Sequence, residues 1–231
     1  MTTVKICGLS TADTMAAALD AGADLIGLVF FPKSPRFVSL ETARGLAAQA
    51  HGRAGVVALT VDLDDAALAA IVDAISPDIL QLHGSETPER VAEIQRRFGR
   101  PVMKAVAVAE AGDLARARNY AAVADHILLD AKPPRGAVLP GGNGLPFDHR
   151  LVVGLDLGRS FMVSGGLGPE TVAEAIRLLH PWGVDVSSGV EGAPGEKDPA
   201  RIRAFVAAAR AAGGQNGAGT SEARVSAGIP L

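Results

Sequence analysis

The stretch LIGLVFFPKSPRFVSLETARGLAAQA, residues 25–50, holds one complete strand-and-helix unit. It begins with an apolar run, residues 25–30, of the kind that forms a strand buried on both faces. After a turn with two prolines comes a segment with helical spacing, residues 40–50, which Ser39 can cap with Thr42 in the first turn. A strand followed by a helix predicts a parallel sheet with crossover helices.

The same alternation continues outward from this unit in both directions. Strand-like runs occupy residues 4–7, 25–30, 55–61, 79–82, 102–107, 126–130, 161–164 and 184–186. Helical spacing follows at residues 11–21, 40–50, 65–74, 88–98, 113–120, 169–179 and 199–212, with a weak sixth helix near 147–153. Eight such units predict an α/β fold, a single (β/α)8 TIM barrel with parallel strands, because a doubly wound sheet more often has about five or six strands.

The barrel should form one catalytic domain over residues 1–213. Residues 213–221 are small and polar without a hydrophobic period, which predicts that residues 214–231 form a flexible tail. One connection, residues 131–146, is unusually long and contains four prolines and a glycine cluster. Since loops after strands surround the site of such a barrel, we expect a mobile lid or substrate clamp there, or else a solvated insertion.

The composition limits the classes of partner and the compartment. A formal net charge of -3 gives no positive field for DNA or RNA, so no nucleic-acid partner is expected. One cysteine cannot form an internal disulfide, and the start of the chain has no apolar leader, which together predict a cytoplasmic protein. No stretch approaches the roughly 20 apolar residues that span a bilayer, so no membrane partner is expected either.

Two residues stand where a barrel carries its chemistry, at the carboxyl ends of strands. Cys7 ends the first strand and is either a small packed core residue or a catalyst. Asp130 ends the sixth strand, and a buried carboxyl group favours the neutral form that a general acid needs. Alternatively, Asp130 accepts hydrogen bonds from loop amides or pairs with Lys5 or Lys132.

Glycine-containing turns follow the seventh and eighth strands and form the strongest local signal. They contain Gly165 and Gly166 in the first turn, and Ser188 and Gly189 in the second. Loops at these two places commonly bind phosphate through backbone N–H groups, and glycine lets the backbone approach the anion closely. A purely structural role as tight turns is the alternative.

Arg36 and His83 are further candidates at the barrel mouth. Arg36 follows the second strand and could hold a carboxylate through two hydrogen bonds, although taken alone it is better explained as an ordinary surface arginine. His83 ends the fourth strand and is either a substrate-binding or a structural, hydrogen-bonded histidine. No other histidine or carboxylate stands at a metal-ligand spacing from it, so we predict no metal.

Taken together, these motifs resemble those of the phosphoribosylanthranilate isomerases, in order, over about residues 3–212. The resemblance rests on Lys5-Ile6-Cys7-Gly8, Gly27-Leu28-Val29-Phe30 with Ser34-Pro35-Arg36, Gln81-Leu82-His83-Gly84, Leu128-Leu129-Asp130, Ser164-Gly165-Gly166-Leu167 and Val184-Asp185-Val186-Ser187-Ser188-Gly189-Val190-Glu191, followed by Pro194-Gly195-Glu196-Lys197-Asp198. It implies the Amadori rearrangement of N-(5-phosphoribosyl)anthranilate to 1-(2-carboxyphenylamino)-1-deoxyribulose 5-phosphate in tryptophan biosynthesis, without a cofactor.

The resemblance also implies roles for the candidate residues. Asp130 and Cys7 match the acid and the base of the family, Arg36 would hold the anthranilate carboxylate, and the two glycine turns would hold the phosphate. We further hypothesise that Lys5 or nearby dipoles favour the Cys7 thiolate. The loop 141–149 departs from the family pattern, since Asn143 replaces a hydroxyl residue and His149 a tryptophan, which puts the loop contacts in doubt.

Other functions remain open from the sequence. Indole-glycerol-phosphate synthases and metal-dependent ribulose-phosphate epimerases also bind phosphosugars in barrels. The first call for a catalytic lysine set and an N-terminal extension, whereas this sequence starts directly at the first strand, and the second call for His and Asp metal ligands that cannot be assembled here. A non-catalytic phosphosugar-binding barrel would have no use for Cys7 together with Asp130. Activity on the related aminoaldose of the histidine pathway is disfavoured by cysteine instead of aspartate at the first strand. A monomer or a homodimer is expected, because the apolar run 28–31 belongs to the core or to an interface.

Overall fold

The computed structural model describes residues 1–132, 141 and 148–215 of the chain. Eight parallel strands close into a barrel in sequence order, so the predicted (β/α)8 fold is confirmed. The strands are β1 Thr3–Cys7, β2 Leu25–Val29, β3 Gly55–Thr60, β4 Ile79–Leu82, β5 Val102–Val108, β6 His126–Ala131, β7 Phe161–Val163 and β8 Gly183–Val186. A short antiparallel pair, β9 Glu191–Ala193 and β10 Glu196–Lys197, extends the loop after β8.

Helices alternate with the strands around the barrel. They are α1 Ala12–Asp20, α2 Leu40–Ala50, α3 Asp65–Ile75, α4 Pro88–Phe98, α5 Leu114–Ala121, α6 Val172–Leu179 and α7 Pro199–Gln215. In the described part of the sixth connection the chain forms only a 3-10 turn, His149–Val152, at the place where the sequence signal for a helix is weakest. Most predicted bounds lie within two residues of those observed.

Side chains at the helix starts explain why several bounds were predictable. Ser39 accepts a hydrogen bond from the Thr42 N–H, and Thr87 accepts one from the Arg90 N–H in front of Pro88. The predicted start of α6 at Pro169 is wrong. There the chain first makes a turn in which the Gly168 N–H donates to the Thr171 hydroxyl, so the helix begins only at Val172.

The barrel interior is packed at one end and open at the other. Its lower half is filled by apolar side chains from alternate positions of the strands, among them Leu25, Val57, Ile79, Met103, Leu128 and Met162. Each fully buried side chain of this kind contributes roughly 1.5–3 kcal/mol to folding. Towards the carboxyl ends of the strands this packing gives way to a thin layer of Cys7, Val29 and Leu59 below an opening.

Two predictions concern residues that the structure leaves undescribed. Residues 133–140 and 142–147 hold most of the proposed lid, and residues 216–231 hold most of the proposed tail, so both stay predictions. Helix α7 continues to Gln215, two residues beyond the predicted domain boundary. In the described ranges, no helix has the length and apolar character needed to cross a membrane.

Candidate active site

A concave opening lies at the carboxyl ends of the barrel strands. Its empty space, including the open mouth, is about 500 Å³. Its lining combines apolar and ionisable groups and consists of Cys7, Val29, Phe31, Ser34, Arg36, Leu59, Val61, Gln81, His83, Asp130, Gly141, Ser164, Asp185 and Ser187. The run 28–31 therefore belongs to the core and to this opening, because Leu28, Val29 and Phe30 are buried and Phe31 lines the site.

Cys7 stands at the floor of the opening, where β1 ends. Its side chain is buried, and a Cβ at Gly27 of the neighbouring strand would lie 2.8 Å from its sulfur atom. Any larger residue at position 27 would therefore displace the thiol, since this distance is too short for two packed atoms. Glycine in β2 makes room for the cysteine.

Charged groups surround Cys7 from below and from one side. The Lys5 Nζ, fully buried beneath it, donates to Asp185 Oδ1 at 2.9 Å. Burial raises the pKa of the Cys7 thiol above its usual value and Asp185 adds to this, while the charges of Lys5 and Lys197 lower it. Lys5 thus acts in the hypothesised direction, whereas burial acts against it and raises the pKa of Cys7 overall.

The raised pKa of Cys7 predicts how its reactivity depends on pH. Only the thiolate is alkylated by iodoacetamide, and glutathione serves as the reference thiol under the same conditions. The rate of Cys7 labelling should still rise with pH after the rate for glutathione has levelled off. Cys7 is the sole cysteine of the chain, so mass spectrometry of the intact protein reports it without interference. A labelling rate that levels off at lower pH than that of glutathione would contradict this assignment.

Asp130 faces the opening from the end of β6. Its Oδ1 accepts a hydrogen bond from the Ala131 N–H at 2.9 Å, and its Oδ2 lies 3.3 Å from His83 Nε2. Pairing with Lys5 or Lys132 does not occur, because these two lysines contact Asp185 and Asp113 instead. Gly141 packs directly against His83 and Asp130, since a Cβ at Gly141 would overlap His83 Nε2 and Asp130 Oδ2.

Arg36 is buried at the rim of the opening, and the interpretation as an ordinary surface arginine is wrong. Its Nε and Nη2 donate to the two carboxylate oxygens of Glu191 at 2.7 and 2.9 Å. Burial alone would raise the pKa of Glu191, yet Arg36 and Lys197 together hold it below its usual value. The guanidinium is therefore oriented before any ligand arrives, which favours recognition of a planar anion.

Glu191 and Lys197 are the functional neighbours that sequence reasoning missed. The buried Lys197 Nζ donates to Ser187 O at 2.9 Å and also to Glu191 Oε1, and the Ser187 hydroxyl donates to Cys7 O at 3.1 Å. One network thus joins the arginine at the rim to the backbone of the cysteine. Both residues stand in the quoted motifs, but nothing in their spacing reveals that they meet Arg36.

The two glycine turns lie against one another and against β6. Gly165 and Gly166 have φ values of 79° and 68°, which favour glycine, and a Cβ at Gly165 would lie 2.7 Å from the Ala131 nitrogen. A Cβ at Gly189 would overlap the Leu167 carbonyl, so the two loops touch through their backbones. Within the described residues, no acceptor receives a hydrogen bond from the Gly165 or Gly166 N–H.

The residues predicted to bind phosphate lie next to the opening but do not line it. Ser164 and Ser187 line it, and Gly165, Gly166, Ser188 and Gly189 follow directly after them, with Ser188 and Gly189 beginning a 3-10 turn. In the portions of the chain that are described, no group of three or more histidine, cysteine or acidic side chains is placed to hold a metal ion. The absence of a metal and of a cofactor stays a prediction.

A parallel (β/α)8 barrel with a thiol, a carboxylate and an oriented arginine around one opening is typical of barrel enzymes that act on small anionic molecules by acid and base catalysis. Residues 4–208 match the family model of N-(5'-phosphoribosyl)anthranilate (PRA) isomerase. The chain belongs to this family, as the sequence motifs predict.

Individual relatives agree with this assignment. N-(5'-phosphoribosyl)anthranilate isomerases of Bradyrhizobium diazoefficiens and Rhodopseudomonas palustris strain BisA53 are each 62% identical over 208 residues, which cover 90% of this chain and 93% and 95% of theirs. The crystal structure of the Thermotoga maritima phosphoribosyl anthranilate isomerase has a TM-score of 0.83 at 36% identity, covering 91% of this chain and all of that one. A structure of a phosphoribosyl anthranilate isomerase in complex with reduced 1-(o-carboxyphenylamino)-1-deoxyribulose 5-phosphate has a TM-score of 0.80 at 35% identity, covering 91% of this chain and all of that one.

Proposed function

We propose that this protein converts N-(5-phosphoribosyl)anthranilate into 1-(2-carboxyphenylamino)-1-deoxyribulose 5-phosphate in tryptophan biosynthesis, with Asp130 as general acid and Cys7 as general base. The observation that carries the proposal is that one opening brings together Cys7, Asp130 and Arg36 beside two glycine turns. The isomerase activity of the relatives named above supports it.

Substrate binding uses the two anionic ends of the molecule. The phosphate is held by backbone N–H groups of Gly165, Gly166, Ser188 and Gly189, where the backbone approaches closely because side chains are small. The anthranilate carboxylate is held by Arg36, which Glu191 already orients. Fixing both ends places the ribose between Asp130 and Cys7.

Ring opening is the acid-catalysed half of the reaction. Asp130 gives a proton to the furanose ring oxygen, the bond from this oxygen to C1 breaks, and the electron pair of the substrate nitrogen forms a C1=N bond. The product of this step is a cationic Schiff base. His83 Nε2, 3.3 Å from Asp130 Oδ2, is placed to donate to the carboxylate that remains.

Proton removal from C2 is the base-catalysed half. The Cys7 thiolate takes the C2 proton, and the electron pair flows through C1 to the cationic nitrogen, which gives a neutral enolamine that tautomerises to the ketose. Burial favours the thiol of Cys7 at rest, so its proton must first leave to bulk water through the open mouth. The positive charge of the Schiff base next to the sulfur favours the thiolate that remains. Lys5 and Lys197 act in the same direction.

Arg36 should control affinity for the substrate more than the chemical step. Arg36→Lys keeps the charge but loses the paired hydrogen bonds, so KM should rise by about tenfold to a hundredfold with a smaller change in kcat. Steady-state kinetics on folded protein measure this. Arg53→Lys, at an exposed ion pair with Asp20, is the matched control and should leave both constants unchanged. An unchanged KM in Arg36→Lys would remove the carboxylate role.

Further expectations concern partners and compartment. The substrate is a small phosphosugar, and we expect no cofactor, no nucleic-acid partner and no membrane association, in a cytoplasmic protein. The protein is expected to be a monomer or a homodimer, and light scattering decides between them. The phosphoribosylanthranilate isomerase of Thermotoga maritima is dimeric, and monomers of it have been generated.

Genetic complementation tests the proposed function. The gene should restore growth without tryptophan to a bacterial strain that lacks this isomerase, while Asp130→Asn expressed at the same level should not. Supplying indole to the same cultures is the control, because indole enters the pathway after this step. Failure of the wild-type gene to restore growth, with folded protein present in the cells, would overturn the proposal.

A further inference from the structure

Gln81 is a buried polar residue that the steps above do not use. It lies in β4, is fully buried, and lines the opening below His83. Its Nε2 lies 3.1 Å from His83 Nδ1, whereas its Oε1 has no hydrogen-bond partner within the described residues. A buried amide oxygen without a partner costs free energy, so its presence beside a reactive site calls for a reason other than stability.

Three groups form a chain that ends at the acid. Gln81 Nε2 contacts His83 Nδ1, and His83 Nε2 lies 3.3 Å from Asp130 Oδ2. An amide nitrogen can only donate, so Nδ1 of His83 must accept, and a neutral His83 then carries its proton on Nε2. That proton points at the carboxylate of Asp130.

The reverse orientation of the amide would have the opposite consequence. If the Gln81 oxygen faced His83, then Nδ1 would carry the proton and Nε2 would present a lone pair to Asp130. Such a lone pair accepts from a protonated Asp130 but repels the carboxylate that remains once the proton has left. The Gln81 oxygen would then gain a donor, whereas Gln81 Nε2 would lose its contact with His83. The orientation with N–H towards His83 is the one that suits a proton-donating Asp130.

We propose that Gln81 is a positioning residue that fixes the Nε2–H form of His83 and so stabilises Asp130 as it loses its proton. This inference rests on the proposed function of Asp130 as the general acid. When Asp130 protonates the ring oxygen, it becomes a carboxylate, and His83 donates to its Oδ2 without giving up a proton. The negative charge that develops on Asp130 then meets a donor that is already in place.

Kinetics of Gln81→Met test the role. Methionine keeps the length of the side chain without its amide, so kcat should fall by about tenfold, the effect of one hydrogen bond, with KM within about twofold. In a His83→Asn background the same substitution should have no further effect on kcat, because its route to Asp130 is absent. Gln95→Met is the matched control, since Gln95 contacts Asp125 and not the site, and should keep the wild-type kcat.

The tautomer of His83 provides a second readout that does not depend on activity. With ¹⁵N-labelled histidine, the wild-type spectrum minus that of His83→Asn isolates one of the five histidines. We expect the Nε2–H form in the wild type, loss of this preference in Gln81→Met, and protonation of Nδ1 in Gln81→Glu, whose carboxylate accepts from it. A wild-type spectrum with the proton on Nδ1 would overturn the proposal.

The two readouts separate the failure of this inference from that of the proposed function. Suppose that the wild type is active and that Gln81→Met lowers kcat by the same factor in the wild-type and in the His83→Asn background. Gln81 then acts only on the structure, and this inference fails while the proposed function stands. A wild-type enzyme that does not turn over the substrate removes the proposed function and this role with it. In that case the spectrum still establishes whether Gln81 sets the tautomer.

Discussion

Asp130→Asn is expected to lower kcat for the isomerisation by at least about a hundredfold, the usual contribution of a general acid. Asparagine has the shape of the aspartate but no proton to give to the ring oxygen, so ring opening loses its catalyst. Cys7→Ser should cause a loss of similar size, because a hydroxyl is a far weaker base than a thiolate. The measurement is the initial rate of loss of anthranilate-type fluorescence with freshly generated substrate.

The control for these substitutions lies at the opposite end of the barrel. Asp78 accepts a hydrogen bond from the Val56 N–H at 2.7 Å and is remote from the opening, so Asp78→Asn should keep kcat. Circular dichroism checks that each variant is folded. If Asp130→Asn and Cys7→Ser are as active as the wild type, the reaction is assigned correctly but its acid and base are not.

Lys104→Met is expected to destabilise the protein by about 3–5 kcal/mol, the usual cost of breaking a buried ion pair. The Lys104 side chain is buried in β5, and its Nζ donates to Gly84 O at 2.7 Å and to Glu86 Oε2 at 2.9 Å. Methionine fills a similar volume but leaves the buried Glu86 carboxylate without its charged partner, with hydrogen bonds only from the N–H groups of Asp62 and Gly84. The midpoint of thermal unfolding should fall by about 10 °C for a domain of this size.

Two further variants separate the charge from the packing. Removing both charges with Lys104→Met and Glu86→Gln should recover part of the lost stability, because no buried charge is then left alone. Arg53→Met, at the exposed pair with Asp20, should cost less than about 1 kcal/mol. A Lys104→Met protein as stable as the wild type would show that the pair does not stabilise the fold.

The fold could be predicted because it depends on local patterns repeated along the chain. Helix α4 follows Thr87 and Pro88 and has the predicted bounds, and β4 occupies the predicted residues 79–82. The start of α6 could not be predicted, since Gly168-Pro169 resembles a helix start and only the hydrogen bond to Thr171 shows a turn. Local patterns do not include such competing side-chain contacts.

The site could be predicted only in part. Its location follows from the rule that catalytic side chains in a barrel lie at the carboxyl ends of the strands, which puts Cys7 and Asp130 at one mouth. The partner of Arg36 is 155 residues away in sequence, and no local pattern identifies Glu191 as that partner. The raised pKa of Cys7 likewise depends on burial and on charges from other strands, so it required the folded structure.

The measurement that tests the central claim most directly is the decay of substrate fluorescence with purified wild type and with the Cys7→Ser, Asp130→Asn double variant, against buffer alone. Mass spectrometry and periodate cleavage of the product verify that an aminoketose of unchanged mass has formed. We expect fast conversion by the wild type and a residual rate in the double variant at least about a hundredfold lower. A wild-type rate no faster than the spontaneous decay in buffer would contradict it.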